Sequence, residues 1–129
     1  DPWLPGGMQP IFPADAIAVP MDQPLFHLAL ESDWQAALER GDYRVSTRGL
    51  SLVQVGFIHL SWQEQLQGTF DRFYADAGAV LKLRIDPKLV SAPLRADAIH
   101  TGLLFPHLYG PLPIASVVEV SPFSPLPAR

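Results

Sequence analysis

The placement of proline limits the folds open to this chain more than any other feature. Six of its 14 prolines (Pro2, Pro5, Pro10, Pro13, Pro20 and Pro24) fall in the first 24 residues, and three more (Pro122, Pro125 and Pro127) lie in the closing "SPFSPLPAR". Each proline removes a backbone donor and blocks the helix interior, so neither end reads as a regular element. The division that follows is a Pro-rich N-terminal arm over 1–24, a single α+β domain over 25–120, and a C-terminal tail over 121–129. Trp3, Ile11 and Phe12 are the apolar residues that could pin the arm to the body. Residues 1–20 and the last few are expected to be dispensable for folding.

A body of this size carries one core rather than two. The apolar fraction of 48% against 17% charged residues belongs to a globular chain, not a disordered one. The nine Lys and Arg residues form no run and the net charge is -4, which excludes a large nucleic-acid footprint. Without cysteine there is no disulfide, no thiolate catalysis and no Cys-based zinc site. No apolar run approaches the roughly 20 residues of a membrane helix. No basic residue precedes Arg40, so the N-terminus does not read as a signal or transit peptide. A soluble, cytoplasmic protein without a membrane partner is expected; the sequence assigns no oligomeric state.

Inside the body, "LFHLAL" (25–30) has the length and apolar content of a buried strand. "SDWQAALERG" places Ser32 three residues before Gln35, a capping-box spacing, and stops at Gly41; a helix near 33–40 is predicted. In "GFIHLSWQEQLQGTFDRFY", Phe57, His59 and Ser61 share one strand face. Ser61, with Glu64 in the matching position, is the predicted cap of a second helix near 62–74. Its loss in Ser61→Ala would cost about 1 kcal/mol. Trp62, Leu66, Phe70 and Phe73, or Leu66, Thr69 and Phe73, form that helix's apolar stripe, read as core. Residues 43–55 read as a short strand followed by a loop or helical turn. "AVLKLRID" (79–86) alternates as a one-sided strand, "PLRAD" adds a short edge strand, and "ASVVEVSP" (115–122) closes the fold. Two main helices among more numerous strands predict α+β, with split or mixed, mainly antiparallel sheets.

Chemistry concentrates in the histidines. His27 in "LFHLAL", His59 in "FIHLS" and His107 in "FPHLY" each sit in an apolar setting, whereas His100 lies in a polar stretch. An imidazole there can hold a fixed hydrogen bond to a carbonyl, move a proton, or bind metal. H-x-H and H-x-x-x-H spacings are absent, so no metal is assigned. Ser61 is explained by capping, and no G-x-S-x-G elbow, G-x-G-x-x-G or phosphate loop is present. In "FPHLYGPLP" (105–113), Tyr109-Gly110-Pro111 can be a tight turn alone, or His107 and Tyr109 can line a cleft together. If the strands carrying them are neighbours, His27, His59 and His107 converge on one cleft with Tyr109 at its rim.

"FHLALESDWQAALERGDY", "GFIHLSWQEQL", "FYAD", "VLKLRIDPKLV" and "FPHLYGPLPIASVVEV" follow one another in this order. In this the chain resembles the bacterial domain of unknown function 952 family, over about residues 25–120. The resemblance implies a fold similar to ADP-ribosyltransferases, including the RNA 2'-phosphotransferase relatives, with no activity assigned. It implies that His27 corresponds to an early histidine gripping ribose or phosphate of NAD. His59 and Ser61 match "FIH-S", and Phe105, His107 and Tyr109 match the "FPH-YG" lining. Trp62 departs from the small threonine that more often follows the serine. Many ADP-ribosyltransferases carry a late glutamate, for which Glu119 is the candidate here.

The expected function is a small-molecule or nucleotide pocket, with NAD, ADP-ribose or another nucleotide as ligand. His27, Phe57, His59, Ser61, His107 and Tyr109 are its binding residues. An enzyme acting on NAD or a nucleotide is implied by the resemblance alone, with His27, His59 and Glu119 as candidate catalytic groups. The alternative is a non-enzymatic protein-interaction module whose histidines are structural.

Overall fold

In chain order the elements are β1 (Leu25–Leu30), α1 (Glu31–Arg40), β2 (Asp42–Tyr43), β3 (Val45–Thr47), β4 (Leu50–Ser51), α2 (Leu52–Val55), β5 (Ile58–His59), α3 (Leu66–Phe73), β6 (Val80–Ile85), β7 (Leu94–Ala98), β8 (Leu104–Leu108), β9 (Leu112–Pro113) and β10 (Val117–Pro122). They come from a computed structural model that describes residues 16–99 and 102–127. Every strand pairing is antiparallel. The class is therefore α+β with mainly antiparallel sheet and few helices, as expected.

Two three-stranded sheets form the frame, ordered β1-β6-β10 and β5-β8-β7. β1 has its first five residues buried, so it reads as a continuous apolar run rather than an alternation. Its faces serve different cores. Leu25 and Ala29 join a larger cluster with Trp34, Tyr43, Ile58, Leu83 and Leu108, whereas Phe26 and Leu28 pack with Leu66, Tyr74 and Val80.

The sheets meet at a single seam whose origin lies in Pro106. β8 is a central strand, yet it carries this proline opposite Ala96 of β7. The Pro106 carbonyl accepts from the Leu60 N–H at 3.0 Å. With no N–H, the proline returns no bond, and the β5–β8 ladder stops there. The chain then crosses to β1, where Phe26 and Ser61 exchange two backbone hydrogen bonds of 2.8 Å each. "FPHLYGPLP" is thus the middle strand of a sheet followed by a bend, more than the rigid turn its prolines suggest.

That crossing corrects two expectations about caps. Ser61 does not cap a helix, because its backbone is committed to Phe26 and its Oγ lies 3.1 Å from Thr69 Oγ1. The helical segment opens instead with a 3-10 turn over Gln63–Gln65, whose Gln65 Oε1 accepts from the Trp62 N–H. Nor does Ser32 cap α1. The helix begins at Glu31 with Leu30 as its flanking residue, leaving Ser32 inside the first turn, where Glu31 and Asp33 face the positive helix end. The predicted stop is present: Gly41 adopts φ 105° and donates to the Ala37 carbonyl. A true capping box lies elsewhere, at Ser51 and Gln54, and opens the unexpected four-residue α2.

Packing extends past the expected ends of the domain. Ile17 bridges Ala96, Val19 is buried in the larger core, and Phe123 packs on the smaller one. The Leu126 N–H donates to Gln67 Oε1. Trp3, Ile11 and Phe12 lie outside the described residues. Among the described residues no helix is long and apolar enough to cross a membrane.

Candidate functional site

A cleft of about 360 Å³ opens between the β3–β4 hairpin, α3 and the β5-β8-β7 sheet. Ser46, Thr47 and Leu50 line it from the hairpin, and Val55 and Phe57 from α2 and the approach to β5. Gly68, Thr69, Arg72 and Phe73 of α3 form the opposite wall, and Ile99 and Leu103 flank the mouth. His59, Phe105 and His107 supply the sheet side. The walls are predominantly apolar, so polar groups within them carry disproportionate weight.

Two of them, His59 and His107, belong to a hydrogen-bonded chain that runs out of the cleft. His59 and His107 are directly paired across β5 and β8, and His59 Nδ1 lies 3.2 Å from His107 Nε2. His107 Nδ1 lies 2.7 Å from Asp97 Oδ2. Asp97 also accepts from Tyr109 Oη at Oδ2 and from Arg95 Nε at Oδ1, each at 2.5 Å. Arg95 Nη2 reaches Tyr109 Oη at 2.7 Å, which closes the outer end. Register explains the assembly: Arg95 of β7 stands opposite His107 of β8, and Arg95 and Asp97, two apart, project from the same sheet face. Phe57 stacks on the His107 ring at 3.9 Å between centroids, fixing its plane.

The electrostatics give each member a definite state. Burial alone would raise the Asp97 carboxyl, but hydrogen bonds from Tyr109, His107 and Arg95 outweigh it and hold Asp97 below the usual carboxylate range. Burial lowers His107 despite the bond to Asp97. Burial, then the neighbouring His107, His27 and Arg72, brings His59 down to about 3. Burial and the Asp97 bond push the Tyr109 phenol up to about 12. Near neutral pH the chain is a guanidinium, a carboxylate, a phenol and two uncharged imidazoles.

His27 adjoins this chain without entering the cleft. Its Nδ1 donates to the His59 carbonyl at 2.8 Å, so Nε2 is the acceptor for Tyr43 Oη at 2.9 Å. Both nitrogens are thus engaged within the protein, and burial lowers its pKa to about 4. Of the expected binding residues, the structure brings Phe57, His59 and His107 to the cleft. The expected three-histidine cleft becomes a two-histidine cleft with His27 behind it. Ser61 is buried beneath Thr69, and Tyr109 stands at the outer end of the relay rather than on a rim. Glu119 pairs with Arg84 on β6 and lines a separate groove with Met21, Asp86 and Lys88, away from both histidines. Trp62 packs against the larger core, its buried indole N–H has no hydrogen-bond partner among the described residues, and it does not line the cleft. His100 lies outside the described residues.

Asp97 and Arg95 are the members of this chain that sequence reasoning missed. Their signal is the i, i+2 spacing in "PLRAD", which by itself reads only as an edge strand. The α3 stripe is also mixed: Leu66 is core, while Thr69 and Phe73 face the cleft. Among the described residues no group of three or more His, Asp or Glu side chains is arranged to hold a metal ion.

Three comparisons bear on this geometry. The family described as "Protein of unknown function (DUF952)" matches residues 28–120. No curated protein matches the chain. Crystal structures of CC0527 from Caulobacter crescentus, one of them a double mutant, share 27% identity with a TM-score of 0.63, covering 78% of this chain and 85% of that one. The solution structure of CC0527 gives 28% identity and a TM-score of 0.61, with 76% and 82% covered.

Proposed function

We propose, for a chain that belongs to the DUF952 family of proteins of unknown function, that the cleft is a small-molecule site equipped with a fixed hydrogen-bond relay. The observation that carries this reading is the Asp97–His107–His59 chain ending in an apolar cleft. A carboxylate that orients one imidazole, which in turn orients a second, is the arrangement by which a buried base is held in one tautomer. His59 is the group that meets a ligand; His107 and Asp97 position it.

The cleft volume suits a single ring system with short substituents. The finer reading, an ADP-ribosyltransferase-like scaffold taking NAD, ADP-ribose or another nucleotide, draws support from the aromatic walls of Phe57, Phe73 and Phe105. Its phosphates find less: Arg72 is the one Lys or Arg among the described lining residues, where a pyrophosphate normally gathers several donors. The base or nicotinamide ring is therefore the part of such a molecule that the cleft favours. The rival reading, a protein-interaction module, draws on the exposed side chains of Leu50 and Leu103 in the cleft lining.

Chemical-shift titration of the full chain with nicotinamide, adenosine and ADP-ribose tests the proposal. Binding should perturb Phe57, Thr69 and Phe105, and Phe73→Ala should weaken it several-fold without unfolding the protein. Shifts confined to the Glu119 groove, or no shifts with any of the three, would refute it.

A further inference from the structure

The relay permits a statement about the ligand itself, resting on the cleft being a ligand site. Asp97 is ionised, so His107 Nδ1 must donate to it. An uncharged His107 then has a bare lone pair on Nε2, which accepts from His59 Nδ1–H. An uncharged His59 with its proton on Nδ1 has a bare lone pair on Nε2. Among the described residues Nε2 has no hydrogen-bond partner, and His59 lines the cleft. The relay therefore ends, at the cleft, in an acceptor and not a donor.

We propose that the cleft selects an uncharged, ring-sized molecule that presents an O–H or N–H to His59 Nε2, of the phenol, lactam or imide class, and that Asp97 sets this choice from two residues away. A carboxylate or ether oxygen at the same place meets a lone pair instead of a proton. An acceptor facing an acceptor in a dry site forfeits the bond and leaves both groups unsatisfied. Arg72 at the cleft wall pulls the other way, towards anions. Rejection of an anion therefore reports the tautomer and not the nearest charge.

Asp97→Asn supplies the diagnostic perturbation. With the new amide's oxygen kept on Arg95, its NH2 group takes the place of Oδ2 and faces both His107 Nδ1 and Tyr109 Oη, which must then both accept. The His107 proton moves to Nε2, His59 Nδ1 becomes the acceptor, and His59 Nε2 carries a proton into the cleft. One substitution outside the cleft lining thus inverts the polarity of the site.

The experiment is calorimetric or NMR titration of phenol, anisole and benzoate into the full chain and into Asp97→Asn, near pH 7.5. Long-range 1H–15N spectra of the histidines are recorded alongside. In the wild type phenol should bind about tenfold more tightly than anisole or benzoate. In Asp97→Asn benzoate should overtake phenol. The wild-type spectra should show His59 protonated at Nδ1, a readout that stands even if the variant fails to fold. Benzoate matching phenol in the wild type, or a proton on His59 Nε2, would overturn the ligand class while leaving the cleft as a binding site. Absence of binding by all three probes would overturn both readings.

Discussion

Acidification should destabilise this fold through His27 before most of its carboxylates titrate. The ring is buried with both nitrogens engaged, donating to the His59 carbonyl and accepting from Tyr43. A second proton would force Tyr43 Oη to turn from donor to acceptor, and burial of the resulting charge holds the pKa at about 4 against the usual 6.5. Unfolded, the same imidazole takes up its proton as the pH falls through 6.5. The unfolded state therefore binds more protons between pH 6.5 and about 4, and stability declines as the pH drops through that window. Above 6.5 the contribution is fully present; below about 4 both states are charged and the loss ends. At about 1.4 kcal/mol per pH unit, His27 accounts for roughly 3 kcal/mol. His59, lowered to about 3, acts in the same direction. The assay is urea unfolding at half-unit steps from about pH 7.5 to 4, on the wild type and on His27→Gln. The amide retains a donor and an acceptor but does not titrate. It should begin less stable at pH 7.5 and lose distinctly less on acidification. A flat wild-type profile, or an equal slope in His27→Gln, would show that the buried imidazole is not the controlling group.

Gly68→Ala should raise stability by about 0.5–1 kcal/mol, because the residue lies inside α3 and an added Cβ meets nothing within 4 Å; a rise in thermal midpoint checks it, and a fall would refute it. Ser51→Ala should cost about 1 kcal/mol by removing the cap of α2, whereas Ser51→Asp should retain most of it; equal denaturant midpoints for the wild type and Ser51→Ala would refute the assignment.

The elements were largely legible because hydrophobic period and punctuation are local. "LFHLAL", the two main helices, the stop at Gly41 and the strands around Leu83 and Val120 follow from spacing alone. The caps were misjudged where tertiary pairing competes with local preference. Ser61 has the right residue type and spacing for a cap, but its backbone continues a strand to Phe26. The cleft was half legible. Alternation puts Phe57 and His59 on one face, yet only the cross-strand register sets His59 against His107 and His107 against Arg95. Register between segments some 50 residues apart is fixed by the whole sheet, and no local pattern encodes it. Asp97 was missed although it lies only ten residues from His107, because "PLRAD" alone does not show the β7–β8 register; Glu119 lines a separate groove, since lateness in the chain says nothing about which groove a residue faces.

His59 belongs to two structures at once, since its ring faces the cleft and its carbonyl accepts the bond from His27. To loosen the floor, the protein must break that bond and the Phe26–Ser61 pair, which together join the sheets. Such an opening approaches global unfolding, so backbone amides along the floor belong with the slowest to exchange with solvent. The opposite wall is fastened differently. The β3–β4 hairpin is held by the buried Ser46 and Thr47 and by a backbone bond between Arg48 and the buried Tyr74, while its tip adds only the exposed Arg48–Asp76 ion pair, a contact worth little in water. The weakest of these ties is thus the one at the hairpin tip, and the Asp97–His107–His59 relay takes no part in it.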